Sequence, residues 1–213
     1  MMCSMRSVFI LGTDTGIGKT YAAVRIIRHL RESGMSVGVM KPYSAGKSVK
    51  TGAKSEDAHI LAKAAGVIPD SSINPDHQEM EASPYTRCVM GYTAPDPQNI
   101  IQQYRALESR FDAMVVEGMG GCMVPILHDY YMMDLARDMG LPAIIVSDNK
   151  IGAVNHCIMS VHVCRFRNVQ LDGIILNKMH HDGYSIDVLQ KSLEGMMDVP
   201  IMGIIQNDML VMN

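Results

Sequence analysis

The stretch GTDTGIGKT at residues 12–20 carries most of the spacing of a phosphate-binding loop. Gly18, Lys19 and Thr20 supply the end of the pattern G-x-x-x-x-G-K-[ST], but Thr13 stands where its first glycine belongs and Gly12 comes one position earlier. The chemistry open to such a stretch is the binding of nucleotide phosphates. Gly12, Gly16 and Gly18 let backbone N–H groups approach phosphate oxygens, and a helix opening near Gly18 adds its positive end. Lys19 can reach the β- and γ-phosphates, and the Thr20 hydroxyl can ligate Mg²⁺.

Three further polar groups have neighbours that suit the same chemistry. Lys41 ends an apolar run and opens KPYSAG; Glu117 ends another and is followed by Gly118-Met119-Gly120-Gly121. A carboxylate before a glycine turn can hold Mg²⁺ directly or through water. Asp57, in SEDAH, opens a helical segment, where the helix dipole alone would account for an acid. Other combinations fail. His156, Cys157, His162 and Cys164 resemble metal ligands on paper. At ~100° per residue, Cys157 and Cys164 share a helix face from which His162 points away, so no zinc site is expected. No serine sits in a G-x-S-x-G nucleophile turn.

These residues need a scaffold that brings strand ends together. Apolar runs rich in Val and Ile mark strands at Ser7–Leu11, Val37–Lys41, Ala113–Glu117, Ala143–Ser147, Gly173–Asn177 and Ile201–Ile205. Helices are expected at Gly18–Ser33, Glu56–Ala65, Pro97–Arg110, Met132–Met139, Ala153–Arg167 and Tyr184–Glu194. Strand-helix alternation with little polar alternation inside the strands predicts a mostly parallel sheet covered by helices on both faces, an α/β fold of three layers. In such folds ligands sit beyond the carboxyl ends of the strands, where the loop, Lys41 and Glu117 all fall. The stretch Gly66–Pro97, rich in Pro, Ser and Asp, is expected to hold little regular structure and to carry substrate contacts. No repeat or linker divides residues 1–213, which read as one domain.

Composition excludes several classes. Apolar residues are 47% and charged residues 19% of the chain, and a net charge of -3 without a long basic run excludes a nucleic-acid footprint. Lys47–Lys54 and His180-His181 are expected on the solvated surface. Five cysteines without regular spacing fit a reducing, cytoplasmic setting better than a disulfide framework. The start MMCSMRSVFILG does not read as a signal peptide, and no uncharged run reaches the ~18 residues of a membrane span. Most of the twenty methionines, among them Met114, Met159 and Met196, lie in apolar runs and are expected in the core.

Taken in order, GTDTGIGKT, KPYSAG, SEDAH, SPY, VVEGMGGCMVPI, GLPAIIVSDNKIGAVNH, GIILNKM and PIMGII resemble the dethiobiotin synthetase family of P-loop ATPases over nearly the whole chain. The resemblance implies closure of a cyclic urea on 7,8-diaminopelargonic acid with CO2 or bicarbonate, ATP and Mg²⁺. An amine captures CO2 as a carbamate, the carbamate attacks the γ-phosphate, and the second amine closes the ring. It implies that Lys19, Lys41 and Thr15 serve catalysis and that Thr13, Asp14, Thr15, Gly16, Ile17, Gly18, Lys19 and Thr20 hold the phosphates, with Asn177 at the base. Thr20, Asp57 and Glu117 would bind Mg²⁺. Lys41, Ser44, Gly120 and Gly121 would meet the substrate. Gly152, Ala153, Val154 and Asn155 would meet it from the other subunit of a homodimer whose sites are shared.

The chain departs from the family where Ala45 replaces a usual Ser or Thr, with Ser44 one position earlier, and where Gln206 replaces a common proline. Few residues follow the last expected strand, which predicts loose base selectivity. Two other readings share the loop: an ATPase domain of the cobyrinic or cobyric acid amide synthetase kind, and a nucleotide-switched interaction module. ParA- and MinD-type ATPases carry a lysine where this chain has Asp14, which argues against the best-known such module.

Overall fold

The structure is a computed structural model that describes residues 7–50, 52, 54–207 and 209–212. The readings that rest on Met1–Arg6, Cys3 or Asn213 lie outside the described residues. In chain order the elements are β1 (Val8–Gly12), α1 (Lys19–Glu32), β2 (Val37–Met40), β3 (Tyr43–Ala45), α2 (Glu56–Ala65), β4 (Asp76–Gln78), α3 (Pro84–Val89) and α4 (Pro97–Glu108). There follow β5 (Ala113–Glu117), β6 (Pro125–Leu127), β7 (Tyr130–Tyr131), α5 (Met132–Met139), β8 (Ala143–Asp148), α6 (Ala153–Phe166), β9 (Leu171–Asn177), α7 (Ile186–Glu194), β10 (Ile201–Gln206) and β11 (Met209–Met212).

Seven strands form one sheet in the order β11-β10-β9-β8-β1-β5-β2, parallel except for β11. The central strands read as unbroken apolar runs because both of their faces are buried. Along β1, Val8 and Ile10 pack into one core, with Ala22, Ala23, Ile26, Ile27 and Leu30 of α1 and Ala58, Leu61 and Ala62 of α2. Phe9 and Leu11 pack into the other, against α4, α5, α6 and α7. The apolar positions of α1 recur at helical spacing, while Arg28 and Arg31 on its far side are exposed. Helix, sheet and helix thus make the three expected layers.

β1 lies between β5 and β8, yet the chain leaves it for β2 at the far side of β5. That reversal opens a crevice at the carboxyl end of β1, where the loop at 12–20 begins.

Several expectations need correction. Gly66–Pro97 holds little regular structure, as expected, but its two short elements were not foreseen: β4 pairs in parallel with β3, and Ser83-Pro84 opens α3, with the Ser83 hydroxyl accepting from the Thr86 N–H at 3.1 Å. The β6–β7 hairpin was not expected, nor was β11, which turns back from β10 through Asn207 at φ 50°. Its sequence, MLVM, has no polar residue to mark an edge. Met114 is buried, but Met159 and Met196 are exposed at 56% and 64% and are not core filler.

Candidate active site

The loop between β1 and α1 answers the question of the early glycine. A Cβ on Gly12 would lie 2.9 Å from both Cδ and Nζ of Lys19, so Gly12 makes room for the lysine stem folded over the strand end. Lys19 Nζ donates to the Asp14 carbonyl at 2.8 Å and closes the loop on itself. Gly16 and Gly18 adopt left-handed φ values of 72° and 85°, which a side chain would strain. Gly18 is the residue before the first turn of α1, which has no side-chain cap, so its backbone N–H groups remain for a ligand. Burial, then the nearby Lys41 ammonium, pull the Lys19 pKa down to about 8 against the opposing pull of Glu117, Asp57 and Asp14.

Three chain segments far apart in sequence meet beside this loop. Thr20 Oγ1 donates to Glu117 Oε1 at 2.9 Å and lies 3.1 Å from Asp57 Oδ1. Lys41 Nζ lies 2.5 Å from Glu117 Oε1 and 2.9 Å from Asp57 Oδ2. Burial works against the Lys41 charge, but Glu117 and Asp57 outweigh it and hold its pKa above the ordinary lysine value. The same lysine overcomes burial at Asp57 and holds that carboxyl below its ordinary range. Glu117 is buried, and its Oε2 has no hydrogen-bond partner.

This oxygen set fits Mg²⁺. A hydroxyl and two carboxylates converge, one carboxylate oxygen is buried and unpaired, and a cation, the Lys41 ammonium, already bridges the two acids. No group of three or more His, Cys, Asp or Glu that could hold a metal occurs among the described residues. Mg²⁺ needs none, because it keeps waters and takes phosphate oxygens. Cys157 and Cys164 are buried while His162 is exposed, as the helix geometry required.

A cavity of about 750 Å³ opens over these groups, lined among others by Thr15, Lys19, Lys41, Asp57, Gly120 and Glu117. Gly120, at φ 61°, and Gly121 pack against the loop: a Cβ on the first would lie 3.3 Å from Thr15 Oγ1, and one on the second 3.3 Å from the Thr13 carbonyl. Ser44 and Ala45 both line the cavity. Asn177, at the end of β9, donates from Nδ2 to the Ile17 carbonyl at 3.1 Å and presses on Gly18, whose Cβ would fall 2.2 Å from that nitrogen. Asp14 Oδ1 accepts from the Thr15 N–H at 2.7 Å, and Oδ2 pairs with Lys150 at 2.9 Å, a bond that holds the Asp14 pKa down.

Gly152, Ala153, Val154 and Asn155 do not line this cavity. They begin α6, where Gly152 has φ 99° and no side chain caps the first turn. Sequence reasoning missed Lys150 as the partner of Asp14. It also missed Asn74, a fully buried amide in the Gly66–Pro97 stretch whose only local signal is the turn-forming pair Asn74-Pro75.

Comparison with known proteins gives the chain a family. A family profile described as an AAA domain matches residues 6–213. The chain is 43% identical to the ATP-dependent dethiobiotin synthetase BioD of Nitrosopumilus maritimus, over 93% of this chain and 88% of that protein. It is 32% identical to the enzyme of the same name from Akkermansia muciniphila, over 93% and 91% of the two chains.

Among solved structures, the septum site-determining protein MinD of Pyrococcus horikoshii with Mg-ADP matches with a TM-score of 0.58 at 16% identity, over 94% of this chain and 80% of that one. The signal recognition particle receptor FtsY of Elizabethkingia anophelis with GDP matches at 0.56 and 14% over the whole of this chain, which spans 62% of FtsY. At such identities these two speak for the fold alone. The phosphate loop, the paired acids behind it and the relatives over nearly the full length lead to one conclusion: the chain belongs to the dethiobiotin synthetase family and is an ATP-dependent ligase of biotin biosynthesis built on the P-loop fold.

Proposed function

We propose that the protein converts 7,8-diaminopelargonic acid, CO2 and ATP to dethiobiotin, ADP and phosphate. One amine takes up CO2 as a carbamate and loses a proton. A carbamate oxygen attacks the γ-phosphorus, the bond to ADP breaks, and a carbamic–phosphoric anhydride results. The second amine attacks the carbonyl carbon and gives up a proton, phosphate leaves with the bonding pair, and the ring closes. The observation that carries this reading is the convergence of two buried ammonium groups, Lys19 and Lys41, on one cavity at the carboxyl end of β1. Positive charge there suits the anionic carbamate and the transferring phosphoryl group, where positioning and electrostatics dominate.

Within this reading Thr13, Asp14, Thr15, Gly16, Ile17 and Gly18 cradle the phosphates, and Thr15 also meets the carbamate. Thr20, Asp57 and Glu117 hold Mg²⁺, which supplies charge neutralisation at the phosphates when bound. Ser44, Gly120 and Gly121 face the diamine, and Asn177 lies at the base. The start of α6 serves the substrate carboxylate of a second copy. A homodimer is supported by an apolar groove of about 810 Å³ beside Thr13–Thr15, lined in part by exposed Met123, Met159 and Phe166. Phosphate release measured with the diamine, with and without bicarbonate and Mg²⁺, tests the reaction. Release that ignores either the diamine or bicarbonate would refute it.

A further inference from the structure

Three residues that line the cavity come from separate elements: Lys41 follows β2, Ser44 lies in β3, and Asp57 is in the first turn of α2. One side chain touches all three segments. Asn74 Nδ2 donates to the Lys41 carbonyl at 2.8 Å. Its Oδ1 accepts from the Ser55 N–H at 3.0 Å and from the Ser44 hydroxyl at 3.0 Å. The partners determine the orientation of the amide, because a carbonyl cannot donate and an N–H cannot accept. Ser55 is in turn the cap of α2, its hydroxyl accepting from the Ala58 N–H at 3.3 Å.

The same logic runs outward. The Ser44 proton is committed to Asn74, so the 2.8 Å contact between Ser44 Oγ and His77 Nδ1 requires His77 to donate from Nδ1. His77 Nε2 then accepts from the Ser48 hydroxyl at 3.1 Å. Ser44 has no proton left to give a substrate, and the hydroxyl absent at Ala45 is not replaced by a donor one position earlier.

We propose that Asn74 is a positioning residue: by bonding the Lys41 carbonyl, Ser44 and the Ser55 N–H together, it sets the spacing between the Lys41 ammonium and the Asp57 carboxylate. The proposal rests on the ligase reading for its kinetic consequence but not for its binding consequence. The loop at 12–20 makes no bond to Asn74, so phosphate binding by that loop is separable from the effect. Loss of such outer partners typically costs about 10- to 100-fold in metal affinity or activity.

The test compares the whole protein with Asn74→Ala by thermal melting, by calorimetry with a non-hydrolysable ATP analogue in the presence and absence of Mg²⁺, and by turnover. In the folded variant, analogue binding without Mg²⁺ should stay within about twofold, and the Mg²⁺ enhancement should fall by about tenfold or more. The value of kcat should drop by about 100-fold, with KM for ATP changed less than about threefold. Should Asn74→Ala not fold, Asn74→Ser, which keeps one hydroxyl, is read the same way. A lowered melting temperature with Mg²⁺ enhancement and kcat both intact would overturn the proposal, since a merely structural role moves only the melt. If the unsubstituted protein shows no diamine-dependent turnover, the ligase reading fails, and the calorimetric arm still decides on Asn74.

Discussion

Lys19 is a lysine whose charge is conditional. Buried and close to Lys41, it has a pKa of about 8 in the ligand-free protein. Its ammonium is therefore present below that pH and lost above it, while an arriving polyphosphate favours the charged form. ATP affinity should be full below about pH 8, fall as pH rises through it, and be accompanied by proton uptake on the alkaline side. Calorimetry in two buffers of different ionisation enthalpy measures both, and an affinity flat from about pH 7 to about pH 9 would contradict the assignment. Lys41→Met removes the like charge and leaves Glu117, Asp57 and Asp14, so the fall should begin at a higher pH in that variant. The phosphate loop itself was legible from residue types, because Gly18-Lys19-Thr20 has local spacing. Asn74 was not, because its three partners lie 19, 30 and 33 residues away and nothing local distinguishes a buried asparagine from a turn residue.

At the scale of elements, the strands and helices that bury a face were legible, since apolar periodicity records burial. The pieces that escaped are short. β3 and β4 have three residues each, α3 has six, and the apolar edge strand β11 has four. None of these is long enough for a period to stand out, and their partners are set by tertiary contact. Asn149, after β8, fastens the loop between β9 and α7 in the same way: its Nδ2 donates to the carbonyls of His180 and Tyr184, and its Oδ1 accepts from the N–H groups of Met179 and His180. The cap of α2 gives a test at this scale. Ser55→Ala leaves the Ala58 N–H without its acceptor and should cost about 1 kcal/mol, a drop of about 2–4 °C in melting temperature. Because Asp57 sits in that first turn, the Mg²⁺ concentration for half-maximal turnover should also rise. A melt and a Mg²⁺ titration check the two effects, and an unchanged melt would remove the cap from the account.

At the scale of the whole molecule, the start of α6 lies outside the cavity of its own chain, so the proposal of sites shared between two copies needs a test of its own. Lys19→Ala disables the phosphate half of a site, and Gly152→Asp puts a negative charge where the proposed shared site would take the substrate carboxylate; because φ 99° strains any side chain at 152, Gly152→Asn, equally strained but neutral, is the control for charge. If sites are shared, each variant alone should be nearly inactive. A mixture of the two should form heterodimers in which one site collects both lesions and the other none, recovering about half of wild-type activity per heterodimer if the sites are independent. Mixed samples no more active than the separate variants would exclude shared sites.

The Lys41 ammonium lodged between Asp57 and Glu117 gives these two acids a counter-ion from the chain itself. Two acids facing each other beside a phosphate loop would otherwise repel and push the first turn of α2 away from the end of β5. A lysine as resident counter-ion predicts a scaffold that does not need a divalent ion for its integrity, unlike domains whose folding energy comes from a structural metal. Prolonged dialysis against a chelator should therefore leave the melting temperature of the free protein where it was, and a fall on chelation would mean that the metal holds the fold as well as the substrate.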